Sequence, residues 1–235
     1  MKKTAIVLAA LVAGSVAQAQ ESTGSSLSVS LDTTFVSDYV FRGASLGNAS
    51  IQPSIEASYG DLYAGLWFSN NLNNTAGDPT ETDLYVGYGF ALTDTISLDV
   101  GVTRYIYDGG NGADETEVYA GASFDVLLSP SVYYYYNLDT ETSAYIGSIG
   151  YSLPVEAIGT SLDFTGTYGY IQNTGLVVGS EDYTYGSVGV SVPYALSDTA
   201  TLTVGVEYIV SDSDTLRTES QDDIIVGSVG VSIGF

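Results

Sequence analysis

Apolar and polar residues alternate along most of this chain, from Leu27 to the last residue, Phe235. The final segment, Val226–Phe235, shows the pattern most clearly, because Val231, Ile233 and Phe235 share one face while Gly and Ser occupy the other. Successive side chains of a strand point to opposite faces. The pattern therefore predicts strands that are apolar on one side and small or polar on the other, which suits a sheet between lipid and water.

Segments of this kind recur about every 17 residues, the spacing expected for membrane-barrel strands of ~10 residues with their connections. We predict about twelve strands, with the phase ambiguous in the eighth: Leu27–Phe41, Ile51–Tyr59, Leu62–Phe68, Leu84–Leu92, Ile96–Val102, Val118–Val126, Val132–Leu138, Ala144–Leu153, Leu162–Tyr170, Val188–Tyr194, Leu202–Tyr208 and Val226–Phe235. Pro53 lacks a backbone N–H, so it predicts a bulge or a local break in the second strand.

The connections between these strands alternate between short and long, with one exception, since the loop at 139–142 is short on the long side. The short ones are Gly60-Asp61, Thr93-Asp94, Ser129-Pro130, Ser197-Asp198 and a somewhat longer link at 154–159; longer polar loops fall at 43–48, 69–82, 108–115, 172–182 and 211–223. Short periplasmic turns and longer outer loops are typical of an all-β, transmembrane, antiparallel up-and-down β-barrel. A soluble β-sandwich also shows alternation and frequent turns, but it does not predict the alternating loop lengths.

Both ends of the chain agree with export to the outer membrane. Residues 1–19 combine a basic start, an apolar stretch and Ala17-Gln18-Ala19, which is the pattern of a signal peptide cut before Gln20. The terminal Phe235 resembles the assembly signal of outer-membrane barrels, which implies the barrel-assembly machinery as a partner. We therefore expect Sec-type export, a bacterial (Gram-negative) outer-membrane location and a single barrel domain over 20–235.

Composition excludes several classes of function. Without residues 1–19 the chain keeps three arginines against 28 Asp and Glu, a net charge of −25, which argues against nucleic-acid binding. Cysteine and histidine are both absent. Disulfides, thiolate metal sites, the usual catalytic triads and most zinc chemistry are therefore excluded. We expect no enzyme activity, no metal site and no cofactor.

If the apolar phase faces outward, the opposite phase lines the lumen. The residues that this places inside are Asp32, Asp38, Arg42, Glu56, Asp83, Asp99, Glu117, Asp125, Asp163 and Glu207. Carboxylates in a narrow passage favour cations, although each one taken alone fits equally a solvated wall or a bond to Tyr or Arg42. Twelve strands allow either a narrow channel or a closed lumen.

Arg104 and the tyrosines fall near the strand ends. Arg104 is in the outward phase, where it either extends toward the interface or contacts a lipopolysaccharide phosphate. Tyr107, Tyr133–Tyr136, Tyr168 and Tyr183 suit interfacial girdles, with an inward position as the alternative. The acidic loop 211–223 lacks the spacing of an EF-hand, so we interpret it as solvated surface.

Several motifs resemble those of the TorF-type putative porins. They are Tyr39-Val-Phe-Arg-Gly43, Gln52-Pro53, Tyr63-Ala-Gly-Leu-Trp-Phe-Ser-Asn70, Asp83-Leu-Tyr-Val-Gly-Tyr88, Asp99-Val-Gly-Val-Thr-Arg-Tyr105 and Glu117-Val-Tyr-Ala-Gly121. The chain departs from the family at Asp108-Gly109, where the family has a proline. The resemblance implies an outer-membrane barrel of porin type and makes Pro53 a family trait.

These features predict a porin-like channel for passive diffusion of small solutes, cation-biased through its acidic lumen. The alternative is a non-conducting structural or adhesive barrel that acts through its outer loops. An outer-membrane hydrolase is disfavoured because histidine is absent. The expected partners are outer-membrane lipid, lipopolysaccharide and small solutes; a homo-oligomer is equally compatible with the sequence.

Overall fold

The computed structural model describes residues 26–72, 80–108, 113–173, 181–212 and 223–235. The predicted signal peptide and its cleavage point lie outside the described residues. No helix in the described part of the chain is long and apolar enough to cross a membrane.

The described residues form fourteen strands and one short 3-10 helix, Glu156–Ile158. The strands are β1 (Leu27–Val36), β2 (Tyr39–Phe41), β3 (Ala44–Gly47), β4 (Ser50–Tyr59), β5 (Leu62–Asn71), β6 (Thr80–Thr93), β7 (Ile96–Asp108), β8 (Glu115–Phe124), β9 (Ser131–Asn137), β10 (Ser143–Val155), β11 (Thr160–Gln172), β12 (Tyr183–Ala195), β13 (Ala200–Ser211) and β14 (Asp223–Gly234).

Twelve of these strands, β1 and β4–β14, form one closed antiparallel barrel. Consecutive barrel strands pair with each other, and the barrel closes between β1 and β14, where Phe35 lies opposite Val229. The predicted twelve-stranded up-and-down barrel is confirmed. Its connections are mostly short at one end, called here the turn end, and mostly longer at the other, called here the loop end, where 138–142 is an exception.

Strict alternation divides each barrel strand into an outward and an inward face. Outward residues such as Val86, Val100 and Val204 are 41–48% exposed although they are apolar, and they recur on every strand. An apolar belt around a closed barrel is the surface that contacts lipid in membrane barrels. Inward residues include buried carboxylates and tyrosines, so the polar chemistry of the molecule is concentrated inside.

The first strand is shorter than predicted, because β1 ends at Val36 rather than at Phe41. Ser37 is still bonded to β14 of the wall: its N–H donates to the Gly227 carbonyl (2.9 Å), and its hydroxyl accepts the Gly227 N–H (3.0 Å). The following residues form a separate hairpin of β2 and β3. Its turn residues, Arg42 and Gly43, both have positive φ (49° and 79°), as in a type I′ turn.

Pro53 produces a local break and no bulge. Pro53 pairs with Thr33 of β1. On its other side, β4 pairs with β5 at Ile51 and again at Ser54, but not at Gln52 and Pro53. The register is the same on both sides of this gap, since Ile51 faces Asn70 and Ser54 faces Trp67. The missing N–H of proline therefore interrupts the ladder without inserting a residue.

Candidate functional site: the barrel lumen and its hairpin

The connection between β1 and β4, residues 37–49, folds into the barrel and is called here the lumen hairpin. Near its base, the Tyr39 hydroxyl donates to the Glu81 carboxylate of β6 at 2.6 Å. The Tyr39 ring also lies 5.7 Å from the Trp67 ring of β5. All three side chains are buried. Because Glu81 and Trp67 face inward from the wall, these contacts place the hairpin inside the lumen.

The tip of the lumen hairpin reaches the far wall. The two Arg42 amino groups donate to the two carboxylate oxygens of Glu117 on β8, each at 2.7 Å. The guanidinium also lies 4.3 Å from the ring centroid of Tyr135 on β9. In the barrel order, β8 and β9 are on the side opposite the β1–β4 seam from which the hairpin starts. The hairpin therefore spans the lumen.

The Arg42–Glu117 pair is almost excluded from solvent, with side chains 12% and 4% exposed. Burial by itself lowers the pKa of the Arg42 guanidinium, but the Glu117 carboxylate outweighs this effect and raises that pKa above its ordinary value. Arg42 therefore stays charged. A bidentate, charge-assisted pair of this kind fixes direction as well as distance.

Two further contacts fix the sides of the lumen hairpin. Gly43 packs on Tyr185 of β12 so closely that a Cβ on Gly43 would lie 2.4 Å from the Tyr185 Cβ. On the other side, Val40 packs with Val36, Ile209 and Val226 in a buried apolar cluster on β1, β13 and β14. The hairpin is thus held by strands on several sides of the barrel.

One wall of the lumen is aromatic. On β5–β9, inward tyrosines lie across glycines that are their direct cross-strand partners: Tyr63 on Gly87, Tyr85 on Gly65, Tyr119 on Gly101 and Tyr133 on Gly121. A Cβ on any of these glycines would come within 2.2–2.4 Å of the ring or its hydroxyl. Only glycine permits the rings to lie flat on the wall.

Carboxylates accept hydrogen bonds from these tyrosines. Tyr63 donates to Asp99 at 2.8 Å, Tyr133 donates to the same carboxylate at 3.4 Å, and Tyr85 donates to Glu56 at 3.0 Å. The hydroxyls of Tyr63 and Tyr119 are 2.6 Å apart. Tyr63, Tyr119, Tyr133 and Asp99 therefore form one hydrogen-bonded group, and Tyr85 and Glu56 form a separate pair.

Near the loop end the opposite wall carries larger side chains, among them Tyr183, Tyr185 and Ile209, whereas toward the turn end it has small ones. Alternation along β11–β14 and β1 places there Ser161, Thr165, Thr167, Ser187, Gly189, Ser191, Thr201, Thr203, Gly205, Ser228, Gly230, Ser30 and Thr34. Small side chains leave more of the lumen unfilled than tyrosines do. Asp163 and Glu207 are the buried carboxylates of this wall.

The structure places the predicted lumen residues as follows. Those on the inward face of barrel strands are Asp32, Glu56, Asp83, Asp99, Glu117, Asp163 and Glu207. Asp38 and Arg42 belong instead to the lumen hairpin, Asp38 at its base beside Ser37 and Arg42 at its tip. Asp125 was placed wrongly: β8 ends at Phe124, so Asp125 lies exposed in the turn that follows.

Arg104 faces outward near the loop end, as predicted, but acidic and hydroxyl groups of its own chain surround it. Its guanidinium donates to Thr116 Oγ1 at 2.7 Å and to Asp114 at 3.2 Å, and Asp139 is 3.7 Å away. A lipopolysaccharide phosphate has to compete with these carboxylates. Phe235, at the turn end, is 74% exposed, and its backbone pairs with Val29.

The tyrosines that the sequence assigns to girdles, with an inward position as the alternative, are divided between the two faces of the barrel. Tyr134 and Tyr168 are exposed on the outer face, 39% and 60%. Tyr133 faces inward to Asp99, and Tyr183 is buried inside beside Tyr185. Tyr135 and Tyr107 are also inward, Tyr135 under the Arg42 guanidinium and Tyr107 close to Glu81. Alternation separates neighbouring tyrosines onto the two faces.

Sequence reasoning missed Glu81 and the lumen hairpin. One signal was available: a strand from Leu27 to Phe41 is longer than the ~10 residues that a membrane strand needs. Most of the acidic loop 211–223 lies outside the described residues. Within the described ranges, no group of three or more Asp and Glu is arranged to hold a metal ion.

Comparison with solved structures gives the same fold. A KdgM porin in complex with disordered oligogalacturonate has a TM-score of 0.58 at 12% identity, over 88% of this chain and 99% of that chain. The NanC porin has a TM-score of 0.51 at 12% identity, over 88% and 98%. An outer-membrane channel from Pseudomonas putida F1 has a TM-score of 0.57 at 10% identity, over 92% and 97%.

No curated protein matches this chain. A family model described as a bacterial protein of unknown function (Gcw_chp) matches residues 19–231, which is most of the chain. The protein therefore belongs to the Gcw_chp family.

Proposed function

We propose that this protein is an outer-membrane channel for the passive diffusion of small solutes, with a preference for cations. The observation that carries this proposal is the charge balance inside the barrel. Nine inward carboxylates line the described strands, including Glu56, Asp99, Asp163 and Glu207. Arg42, the one basic side chain in the described lumen, is already paired with Glu117.

The physical reason for cation preference is the low-dielectric wall. Lipid and barrel surround the passage, so the field of the carboxylates is concentrated in it, and cations are enriched while anions are repelled. The KdgM structure is described in complex with oligogalacturonate, an acidic saccharide. An acidic lumen disfavours such a solute, so we infer a different substrate class for this protein.

Location and partners belong to the same proposal. The closed barrel and its apolar belt support insertion into the Gram-negative outer membrane, after Sec-type export and with help from the barrel-assembly machinery. Lipid and lipopolysaccharide then surround the belt. The resemblance to TorF-type porins supports this assignment, since that family comprises porin-type outer-membrane barrels.

A second function is favoured by the lumen hairpin itself. A hairpin that spans the lumen and is fixed on β5, β6, β8, β9 and β12–β14 is also the structure expected of a closed barrel. Such a protein serves as a structural or adhesive element of the envelope through its outer loops. The two proposals differ in one measurable property, which is ion conductance.

The test is the conductance of refolded protein in planar bilayers, with the reversal potential measured across a salt gradient. Discrete steps with a cation-selective reversal potential support the channel. Asp99→Asn removes an inward charge, so we expect the reversal potential to move toward zero. Asp125→Asn removes the same charge from an exposed turn and is the matched control. If correctly folded protein shows no conductance, the result favours the closed barrel.

A further inference from the structure

The barrel wall binds the Arg42 guanidinium at the tip of the lumen hairpin as a receptor binds a ligand. Both carboxylate oxygens of Glu117 accept hydrogen bonds from it, each at 2.7 Å. The ring centroid of Tyr135 lies 4.3 Å from its central carbon. The Tyr105 hydroxyl donates to Glu117 Oε1 at 2.9 Å and holds the carboxylate in place. Tyr105, Glu117 and Tyr135 are called here the guanidinium site.

The guanidinium site is formed entirely by wall residues on the adjacent strands β7, β8 and β9. The hydrogen bond from Tyr105 to Glu117 joins two of these strands and does not involve the hairpin. The Tyr135 ring packs beside the rings of Tyr119 and Tyr133, with centroids 5.7 Å and 5.9 Å away. All three side chains of the site therefore have partners in the wall that remain when the hairpin moves.

The lumen hairpin, in contrast, is not part of the wall. Val36 and Ser50 pair directly, so the wall is continuous across the two ends of the hairpin. Strands β2 and β3 form a two-stranded sheet of their own. Arg42 has a φ of 49°, which is unfavourable for a residue with a long side chain. The tip is therefore held across the lumen by side-chain contacts and not by backbone pairing with the wall.

Release of Arg42 by itself is unfavourable. The Glu117 side chain is only 4% exposed, and a buried charge that loses its partner is strongly destabilising. A solute that carries its own guanidinium removes this penalty, because it replaces the contacts that Arg42 makes. The nine inward carboxylates of the described strands also favour the entry of cationic solutes into the lumen.

The geometry of the site distinguishes between kinds of cation. A guanidinium is planar, presents two parallel N–H groups to a carboxylate and stacks its flat face on an aromatic ring. The two bonds to Glu117 and the contact with Tyr135 use both properties. An ammonium ion is a compact point charge and cannot form the bidentate pair. The site therefore favours guanidinium compounds over amines.

We propose that Tyr105, Glu117 and Tyr135 bind the guanidinium group of a small solute, which displaces Arg42 and releases the tip of the lumen hairpin. Without that solute, Arg42 occupies the site and keeps the hairpin across the lumen. The proposal deepens the proposed function, on which it rests for the passage of the solute, and names small guanidinium compounds as the solute class. Binding and hairpin release are measured without conductance, so failure of the site and failure of the channel are distinguishable.

The first test follows the hairpin tip in protein that keeps Arg42. The chain has no cysteine, so Ser45→Cys beside the tip and Leu138→Cys after β9, both exposed positions, carry two unique spin labels. We expect methylguanidinium to lengthen the distance between the labels, measured by double electron–electron resonance in lipid vesicles. Methylammonium does so only at about tenfold higher concentration, because it lacks the bidentate pair.

A label pair on the wall alone is the control for this test. Leu138→Cys and Val188→Cys are both exposed on barrel strands or their ends, and we expect their distance to stay constant, which shows that the barrel is intact. An unchanged distance from Ser45 in the presence of methylguanidinium overturns the proposal. So does an equal response to methylguanidinium and methylammonium.

The second test removes the tethered competitor. Crystals of the whole barrel with Arg42→Ala, soaked in methylguanidinium, are expected to show the ion between Glu117 and Tyr135. Arg104→Ala is the matched control, because Arg104 and Asp114 are 41% and 42% exposed and we expect no ion to be retained there. An empty site in Arg42→Ala overturns the proposal. Binding in Arg42→Ala without label movement in protein that keeps Arg42 shows an internal ion pair only and also overturns it.

Discussion

Arg42 occupies a backbone conformation that long side chains seldom adopt. Its φ of +49° lies in the left-handed region, which costs about 1–3 kcal/mol for a residue other than glycine. Such a conformation persists when the surroundings favour it. Here the bidentate bond to Glu117 and the stacking on Tyr135 supply that stabilisation. At the residue scale, the conformation of the lumen hairpin therefore depends on the contacts that Arg42 makes at its tip.

Removing the partner of Arg42 tests this dependence. Glu117→Gln leaves a buried guanidinium without its counter-charge, so we expect the free energy of unfolding to fall by about 3–5 kcal/mol. The measurement is a urea titration of the barrel in lipid vesicles. Asp114→Asn breaks an ion pair with Arg104 whose side chains are 41% and 42% exposed, and costs about 1 kcal/mol or less. If the free energy of unfolding falls equally in the two variants, the Arg42–Glu117 pair has no special stabilising role.

Gly43 offers a test with a closely matched control. Gly43→Ala combines a φ of +79° with a Cβ 2.4 Å from Tyr185, so the hairpin tip must move away from β12. Gly60→Ala has a similar φ of +60° but nothing within 4 Å. Both variants carry the backbone cost of about 1 kcal/mol, and we expect only Gly43→Ala to change single-channel conductance. If both variants change the conductance equally, the position of the hairpin tip does not determine the conductance.

At the element scale, the aromatic wall depends on cross-strand pairs of tyrosine and glycine. The flat rings on β5–β9 occupy the volume that a Cβ on the partner strand needs. Their hydroxyls then donate to the Asp99 and Glu56 carboxylates. A larger residue in place of the partner glycine would push the rings away from these positions. One substitution in such a pair therefore disturbs packing and the hydrogen-bond network together.

Gly87→Ala is the corresponding experiment. The new methyl group comes within 2.2 Å of the Tyr63 ring, so the ring must swing inward and lose its bond to Asp99. Overpacking of this kind costs about 1–3 kcal/mol, which the same urea titration measures. Gly147→Ala on the outward face of β10 has only one neighbour, at 3.9 Å. A cost as large for Gly147→Ala as for Gly87→Ala means that ring packing is not the cause.

At the scale of the whole molecule, the wall and the lumen hairpin are separable parts. Val36 at the end of β1 pairs with Ser50 at the start of β4, so the wall is continuous without residues 37–49. A two-residue Asn-Gly turn joins antiparallel strands at such a point. The barrel can therefore be tested with and without its hairpin.

Replacing residues 37–49 by Asn-Gly opens the middle of the lumen. We expect the variant to fold as a barrel with a several-fold higher single-channel conductance, because the largest obstacle is gone. Heat-modifiable migration on gels and circular dichroism report on folding, and planar bilayers report on conductance. Unchanged conductance in a folded variant shows that the lumen hairpin does not restrict the passage.

Much of the wall follows from alternation alone. Because successive strand residues point to opposite faces, the period of two assigned Glu56, Asp99 and Glu207 to the interior. Alternating short and long connections then imply neighbouring antiparallel strands, and hence the barrel. Errors occurred where a strand ends: Asp125 continues the pattern of β8 but lies beyond its last residue. The Asp125 N–H still donates to the Thr95 carbonyl, but its side chain is exposed, and a pattern does not mark the point at which side chains cease to face the lumen.

The inside of the barrel depends on contacts between distant parts of the chain. Tyr39 and Phe41 alternate like residues of the wall, and nothing local separates them from β1. Their position follows from partners far along the sequence: Tyr39 bonds to Glu81, 42 residues away, and Arg42 to Glu117, 75 residues away. The local pattern specifies which face of a strand is polar. Only closure of the barrel brings together the side chains that hold the hairpin across the lumen.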